Sequence, residues 1–180
     1  ACIEKNITLI DHETLVDKNN IRLIGFGRYA GIVGAYNTMR AFGIKYELFS
    51  LAKAEKLGSK QDLIARLQKP YMPPLKIALT GTGKVGMGAK ELLDDVGYKQ
   101  VDIQSFLTKD FDEPVYVQLD VEDYYRRIDG KPATKDDFIA NPNDYESDFE
   151  KFSQVADIVL AGHFYKDGSP KILTKEMLNA

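Results

Sequence analysis

The sequence predicts an α/β protein with a doubly wound, mostly parallel sheet that has helices on both faces. Residues 75–80 form an apolar run that breaks into a glycine-rich turn, and apolar residues then recur at helical spacing as far as Gly97. A later apolar run, residues 156–162, is typical of a strand that is buried on both faces. Together these segments predict a Rossmann-like sheet. Since only about four of the six strands of a full sheet are visible, the sheet is either small or truncated.

The composition is that of a soluble globular protein and argues against several classes of function. Of the 180 residues, 44% are hydrophobic and 28% are charged. No apolar run has the length of a membrane span and no basic-then-apolar leader opens the chain, so we expect neither a membrane nor a secretory role. The single Cys2 cannot form an internal disulfide, which makes the cytoplasm the expected location.

Charge is unevenly distributed along the chain. Residues 109–150 carry 13 acidic and 5 basic side chains, a local charge of −8 within a chain whose net charge is −3. The same segment is rich in tyrosine, whereas a nucleic-acid surface combines basic residues with aromatic ones. We therefore expect no nucleic-acid binding. The segment is interpreted as an acidic insert that is either solvated or a contact between subunits of a homo-oligomer.

The first 74 residues predict two short strands and three helices. The strands are residues 7–10 and 21–24. The first helix follows Gly27 and ends at Gly43, with Gly31 and Gly34 inside it as signs of close packing. His12 would lie on the opposite face of a strand from its acidic neighbours, so no metal site is predicted.

The other predicted helices and strands complete three regions. Residues 46–57 and 59–69 are predicted helices, the second capped by Ser59, and residues 70–74 are a proline-rich connector. Residues 101–106 and 115–119 are predicted strands that follow the glycine-rich turn. The predicted regions are 1–43, the end of a substrate domain with an interdomain helix; 44–74, a helical connector; and 75–180, a dinucleotide-binding domain with the acidic insert at about 109–150.

The glycine-rich turn has the residues that a dinucleotide site requires. Gly81 suits the tight turn, Gly83 allows the backbone to approach a pyrophosphate, and Gly86 allows the helix to pack closely on the strand. The start of the helix supplies free N–H groups and a partial positive charge. A Walker-type loop is rejected because Val85 follows Lys84 where a magnesium-binding hydroxyl is needed. The predicted cofactor-binding residues here are Gly81, Thr82, Gly83, Lys84, Val85 and Gly86.

These motifs resemble the family of alanine dehydrogenase, the transhydrogenase alpha chain and lysine-forming saccharopine dehydrogenase. The resemblance is greatest to the lysine–ketoglutarate reductase group. It rests on residues 9–15 (LIDHETL), on residues 25–34 (GFGRYAGIVG) and on residues 81–85 (GTGKV), and it continues through residues 141–145 (NPNDY) and 161–165 (AGHFY). It therefore covers nearly the whole chain.

The resemblance implies two Rossmann-like domains with the active site between them. The implied reaction reduces the imine of lysine and 2-oxoglutarate to saccharopine with hydride from a nicotinamide cofactor. The family's catalytic Lys and His are expected upstream of these residues, so the catalytic residues are unknown here and the chain alone should bind cofactor without turnover. Alternatives are an alanine-dehydrogenase-like enzyme and a non-catalytic nucleotide-binding module.

Cofactor choice depends on the end of the strand that follows the glycine motif. An NAD site usually has an acidic residue there, about 20 residues beyond the glycines. In the predicted strand 101–106 that position holds Ser105 and its neighbours, and Ser105 or Lys109 could contact a 2′-phosphate. The missing carboxylate predicts NADP, with NAD possible, and the resemblance to NADPH-dependent reductases agrees.

Two further residues are weak candidates for a functional role. His163 follows the buried strand at the edge where such sheets bind ligands, and it is predicted to contact the cofactor. A structural hydrogen bond is the alternative. Arg28 could bind a carboxylate substrate through its guanidinium group, although an ordinary surface arginine is the simpler interpretation.

Overall fold

A four-stranded parallel sheet is the centre of the fold in the computed structural model, which describes residues 2–179. The strand order is β2–β3–β1–β6, and a separate antiparallel pair, β4–β5, lies in the acidic segment. The strands are β1 Lys76–Thr80, β2 Lys99–Gln100, β3 Val115–Leu119, β4 Tyr125–Arg127, β5 Tyr145–Ser147 and β6 Ile158–Ala161. The predicted α/β class with a mostly parallel, Rossmann-like sheet is confirmed.

The described residues form eight α-helices. They are α1 Gly27–Lys45, α2 Lys60–Leu67, α3 Lys84–Asp95, α4 Ile103–Thr108, α5 Val121–Tyr124, α6 Lys135–Ala140, α7 Glu150–Ser153 and α8 Lys175–Asn179. The 3-10 helices His12–Thr14, Ala54–Lys56 and Pro142–Asp144 complete the set. Among residues 2–179 no helix has both the length and the apolar character that crossing a bilayer demands.

Each face of the sheet has its own hydrophobic core. Alternate side chains of β1 point in opposite directions, so Ile77 and Leu79 join one core while Ala78 joins the other. Helices α1, α2 and α3 cover the first face, and α4 to α7 cover the second. The second core is aromatic and includes Tyr124, Tyr125, Phe138, Tyr145, Phe149 and Phe152.

The acidic segment is therefore a structural part of the domain. Its tyrosines Tyr116, Tyr124, Tyr125 and Tyr145 are at most 3% exposed. Side chains that are buried within their own chain contradict the prediction of a solvated excursion, whereas a subunit contact through the exposed residues stays a prediction. The acidic residues are interspersed among these aromatic ones and lie mostly at the surface, which is why the net charge of the segment concealed its core.

Several predicted elements of the first 74 residues are absent. Residues 7–10 and 21–24 form no strands, and the described part of this region has only an isolated antiparallel bridge between Val16 and Arg22. His12 lies in a 3-10 helix rather than a strand, so the alternation argument about its neighbours was wrong. Residues 46–57 form only the short 3-10 helix, because Glu47 adopts a left-handed conformation (φ 55°) that ends the preceding helix.

The two long predicted helices of this region are confirmed. Helix α2 begins after Ser59, whose side chain accepts a hydrogen bond from the Asp62 N–H as predicted for a cap. Helix α1 continues two residues past Gly43, where a side chain would overlap the ring of Phe49.

The predicted strand 101–106 is a helix instead. β2 stops at Gln100, and the Asp102 carboxylate then accepts a hydrogen bond from the Ser105 N–H at 2.9 Å, which caps α4. Ile103, Phe106 and Leu107 recur at helical spacing and pack into the aromatic core. The capping aspartate and the helical spacing explain why residues 103–108 form a helix and not a strand.

Helices α1 and α3 pack closely against each other at two glycines. A methyl group added at Gly31 of α1 would overlap the carbonyl oxygen of Val85, and one at Gly88 of α3 would overlap that of Arg28. The close packing predicted at Gly31 is thus confirmed. The same prediction was wrong for Gly34, where an added methyl group would have no neighbour within 4 Å.

Candidate functional site

The candidate site begins where β1 ends. Thr80 pairs in register with Leu119 of β3 on one side and with Ala161 of β6 on the other. After β1 the chain forms β2 and β3 on one side of β1 and then crosses to β6 on the other side. The gap between β1 and β6 is therefore a topological switch point. Ligands of open α/β sheets bind outside the carboxyl ends of the strands at such a point.

Three glycines shape the loop that crosses this edge. Gly81 has φ 94°, and a side chain there would lie 2.6 Å from the Gly162 carbonyl oxygen. A methyl group at Gly86 would overlap the Gly81 carbonyl oxygen, so α3 can pack against the loop only without one. The Cβ position of Gly83 has nothing within 4 Å. At Gly83 the backbone of the loop therefore faces open space. Gly81 and Gly86 instead allow the loop to pack closely against Gly162, which follows β6, and against α3.

Helix α3 starts at this loop with an uncapped first turn. Gly83 is its N-cap, no side chain accepts from the first-turn N–H groups, and no acidic residue lies in that turn. Lys84 is the first helical residue and is exposed. An N-terminus of this kind, on a helix of 12 residues, combines N–H donors with a positive partial charge that suits a phosphate group.

A cavity of about 350 Å³ lies between this loop and the acidic segment. Its floor is the carboxyl edge of β3, β1 and β6, and helices α5 and α6 form one wall. The lining residues are Gly81, Thr82, Gly83, Lys84, Val85, Asp120, Val121, Tyr124, Lys135, Phe138, Ile139, Gly162, His163, Phe164 and Tyr165. The site thus combines apolar walls with a few polar groups, as small-molecule pockets do.

An interconnected group of polar side chains lies on the β3 side of the cavity. The Thr82 hydroxyl donates to Asp120 Oδ2 at 2.5 Å, and Lys135 Nζ donates to Thr82 Oγ1 at 2.8 Å and to Asp120 Oδ2 at 3.2 Å. Asp120 also caps α5 through Val121 N–H. Burial acts to raise the pKa of Asp120, but these hydrogen bonds outweigh it, and the pKa is lowered. Asp120 is therefore a carboxylate at neutral pH.

His163 lies on the opposite, β6 side of the cavity. Its Nδ1 is 2.7 Å from the hydroxyl of the fully buried Thr80, and its ring is 5.8 Å from that of Tyr124. Burial lowers the pKa of His163, so the ring is neutral at pH 7. The structural hydrogen bond is present, and the side chain also lines the cavity. A neutral imidazole held at one nitrogen can offer the other to a ligand.

Most of the sequence-predicted site residues come together here, and two do not. Gly81 to Val85 and His163 line one cavity. Gly86 does not line it but packs against the Gly81 carbonyl group of the loop. Ser105 lies in α4 and is absent from the lining of the cavity. Its position was inferred from a strand that is a helix, so the inference about the acidic residue was misplaced. The strand next to β1 is β3, and Asp120 follows its last residue, Leu119.

Arg28 is already engaged within the protein. Its guanidinium group makes a bidentate pair with Glu91 of α3, with Nε–Oε2 at 2.7 Å and Nη2–Oε1 at 2.6 Å, and Lys60 of α2 reaches the same carboxylate at 2.5 Å. This network ties α1, α2 and α3 together. Hydrogen bonds from Arg28 and then from Lys60 lower the pKa of Glu91 from 4.5 to about 2.

The difference in stability between the wild type and a Glu91→Gln variant should depend on pH. The folded pKa lies below the unfolded one, so the stabilisation by the carboxylate is complete above about pH 5 and is lost as the pH falls towards 2. We expect E91Q to lower the urea midpoint at pH 7 and to approach the wild-type midpoint near pH 2.5. Glu55, which is 64% exposed and lies 3.9 Å from Lys53, is the control, and E55Q should change little at either pH. A midpoint difference for E91Q that is constant with pH would contradict this prediction.

Comparison with known proteins gives distant relatives. No protein-family model matches the chain. It is 23% identical over 203 residues to alpha-aminoadipic semialdehyde synthase, mitochondrial, of Rattus norvegicus, and 22% identical over 205 residues to the protein of that name from Bos taurus, covering 97% of the chain in both alignments. The alpha-aminoadipic semialdehyde synthase of Arabidopsis thaliana is 22% identical over 213 residues, covering 98% of the chain. The chain spans about a fifth of the length of these relatives, 20% to 21%. Along nearly all of its length, the chain is thus distantly related to one region of the aminoadipic semialdehyde synthases.

Proposed function

We propose that this chain is the dinucleotide-binding part of a nicotinamide-dependent oxidoreductase of the lysine–ketoglutarate reductase type. The observation that carries the proposal is the cavity at the switch point, which is lined by the glycine loop from Gly81 and by the uncapped start of α3. The distant relationship to the aminoadipic semialdehyde synthases supports the same reading. The bound cofactor would supply or accept hydride.

The residues of the cavity fit the parts of a dinucleotide. The open space at Gly83 and the first-turn N–H groups of α3 would accommodate the pyrophosphate, with Lys84 beside it. Asp120, at the end of the strand next to β1, would accept hydrogen bonds from the adenosine ribose. His163, across the loop at the end of β6, would face the nicotinamide side of the cavity. The apolar wall would limit the access of water to the reacting ring.

The form of the cofactor depends on the corrected strand order. The prediction of NADP rested on a missing carboxylate, and we propose that Asp120, after the strand next to β1, takes that role although it lies 34 residues beyond Gly86. That argument for NADP has therefore lost its basis, and Asp120 supports binding of NAD. Lys135 donates a hydrogen bond to this carboxylate, and its positive charge is compatible with NADP as well.

The proposed reaction joins lysine and 2-oxoglutarate as an imine and reduces it to saccharopine. It is supported by the resemblance in the motifs and by the names of the relatives. We propose that residues 1–43 belong to a substrate-binding region, that residues 44–74 connect it, and that the catalytic residues lie in the rest of the longer protein. The cytoplasmic location remains a prediction from the single cysteine.

An assay of the longer protein that contains this chain tests the reaction. It should oxidise NADH or NADPH, followed at 340 nm, only when lysine and 2-oxoglutarate are both present, because the imine forms from the two together. The 180-residue chain should bind the nucleotide in a calorimetric titration and show no turnover. Activity with pyruvate and ammonia would favour the alanine-dehydrogenase alternative. Binding by a longer protein without either activity would favour a non-catalytic module.

A further inference from the structure

Lys135 is brought to the glycine loop from a distant part of the chain. It begins α6, directly after the Thr134 cap, and its own N–H donates to Glu122 Oε1 at 3.0 Å. From there the side chain reaches Thr82 Oγ1, 53 residues earlier in the sequence. The backbone is thus anchored by a helix cap and a hydrogen bond, and the ammonium group lies at the mouth of the cavity with 43% of the side chain exposed.

Three charged side chains line the cavity, while Glu122 and Asp123 accept hydrogen bonds from the backbone N–H groups of Lys135 and Asp120. Among the residues that line the cavity, Asp120 is the acidic one, and the cations are Lys84 and Lys135. Lys84 begins α3 on the pyrophosphate side, whereas Lys135 lies within 3.2 Å of Asp120. Without Lys135, Asp120 could still accept a hydrogen bond from a ribose hydroxyl, but its negative charge would repel a 2′-phosphate. With Lys135 in place, the pair is neutral and offers an ammonium donor as well.

We propose that Lys135 determines cofactor specificity: it neutralises Asp120 and donates to a 2′-phosphate, so that the site accepts NADP(H) in addition to NAD(H). This inference rests on the proposed dinucleotide function. It gives the acidic segment a direct role in cofactor choice, because α6 carries the deciding side chain.

Asp120 is held independently of Lys135, which allows the two roles to be separated. Its Oδ1 accepts from the Val121 N–H at 2.9 Å, and its own N–H donates to Asp123 Oδ2 at 2.7 Å in a reciprocal capping box. Removing the lysine should therefore leave the carboxylate in place and uncompensated. The adenosine ribose of NAD(H) would keep its acceptor, whereas the 2′-phosphate of NADP(H) would lose a donor and meet a bare negative charge.

Calorimetric titration of the 180-residue chain with NADH and NADPH tests the inference. The wild type should bind both, and Lys135→Met should weaken NADPH binding by about 10- to 100-fold relative to NADH binding, the range expected for loss of one charged hydrogen bond. Lys135→Arg should retain NADPH binding. The matched control is Lys131→Met in the same segment, where Lys131 is 74% exposed and pairs with Asp129 away from the cavity. This control should leave both affinities unchanged.

A second substitution keeps the test independent of folding effects. Asp120→Asn removes the repulsion, so it should improve NADPH binding relative to NADH, and in that background Lys135→Met should cost less NADPH affinity than it does alone. Equal losses for both nucleotides, or no change in their ratio, would overturn the role of Lys135. If the wild-type chain binds neither nucleotide, the proposed function itself fails, which is a different result from an unchanged ratio.

Discussion

Replacing Gly83 by valine is expected to abolish dinucleotide binding while the protein stays folded. Gly83 has φ −78° and ψ −172°, an extended conformation that valine adopts readily, and its Cβ position has no neighbour within 4 Å. The protein can therefore accept the side chain. The space that the valine would fill lies over the start of α3, where the pyrophosphate would approach the backbone. Loss of those charged hydrogen bonds should weaken binding by about 100-fold or more.

The measurement is a calorimetric titration of the variant with NADH and NADPH, beside a urea unfolding curve. Gly25→Val is the matched control, because Gly25 also has nothing within 4 Å of its Cβ position and does not line the cavity. That variant should bind as the wild type does. An unchanged dissociation constant for Gly83→Val would mean that the loop only connects β1 to α3.

Local signals were sufficient for the part of the fold that holds the loop. The apolar run of β1, the three glycines and the helical spacing of α3 lie within about 20 consecutive residues, and each is fixed by neighbours in sequence. The Ser59 cap of α2 is local in the same way. Gly97 has φ 94°, as a left-handed residue after a helix requires.

Non-local pairing explains what the sequence did not reveal. Residues 7–10 and 21–24 have the composition of strands, but in the described residues their only strand-like pairing is the isolated bridge between Arg22 and Val16. Asp120 directly follows β3, a strand that the sequence did predict. Its place beside the glycine loop could not be recognised, because that depends on β3 and not β2 pairing with β1. Lys135 has no local signal, since its contact with Thr82 spans 53 residues.

The acidic segment misled sequence analysis for a related reason. Net charge summed over residues 109–150 hides which side chains point inwards. Arg127 illustrates the point, because its side chain is 12% exposed and is held by the carboxylates of Asp129, Asp137 and Asp144 while its guanidinium group lies over the ring of Tyr145. Part of the acidic charge thus pairs with a mostly buried cation within the segment, and a sum of charges cannot distinguish such carboxylates from those of a solvated surface.

Replacing Gly31 by alanine should destabilise the protein by about 3 kcal/mol, the upper part of the range for overpacking a well-filled interface. The added methyl group would overlap the carbonyl oxygen of Val85 and lie 2.6 Å from the N–H nitrogen of Ala89. Both are backbone atoms of α3, so no side-chain rotation relieves the clash and the two helices must separate. Since Val85 is in the first turn of α3, we expect nucleotide affinity to fall with stability.

Gly34 provides the control for this change within the same helix. Alanine there would meet nothing within 4 Å, so Gly34→Ala should stabilise the protein by about 0.5 to 1 kcal/mol through helix propensity alone. The urea midpoints of the two variants should therefore shift in opposite directions from that of the wild type. A Gly31→Ala variant as stable as the wild type would show that α1 does not press against α3 as closely as described. If the opposite shifts are found, helix α1 is a support of the loop, because the residue that Gly31 contacts lies beside the N–H groups proposed to bind the pyrophosphate.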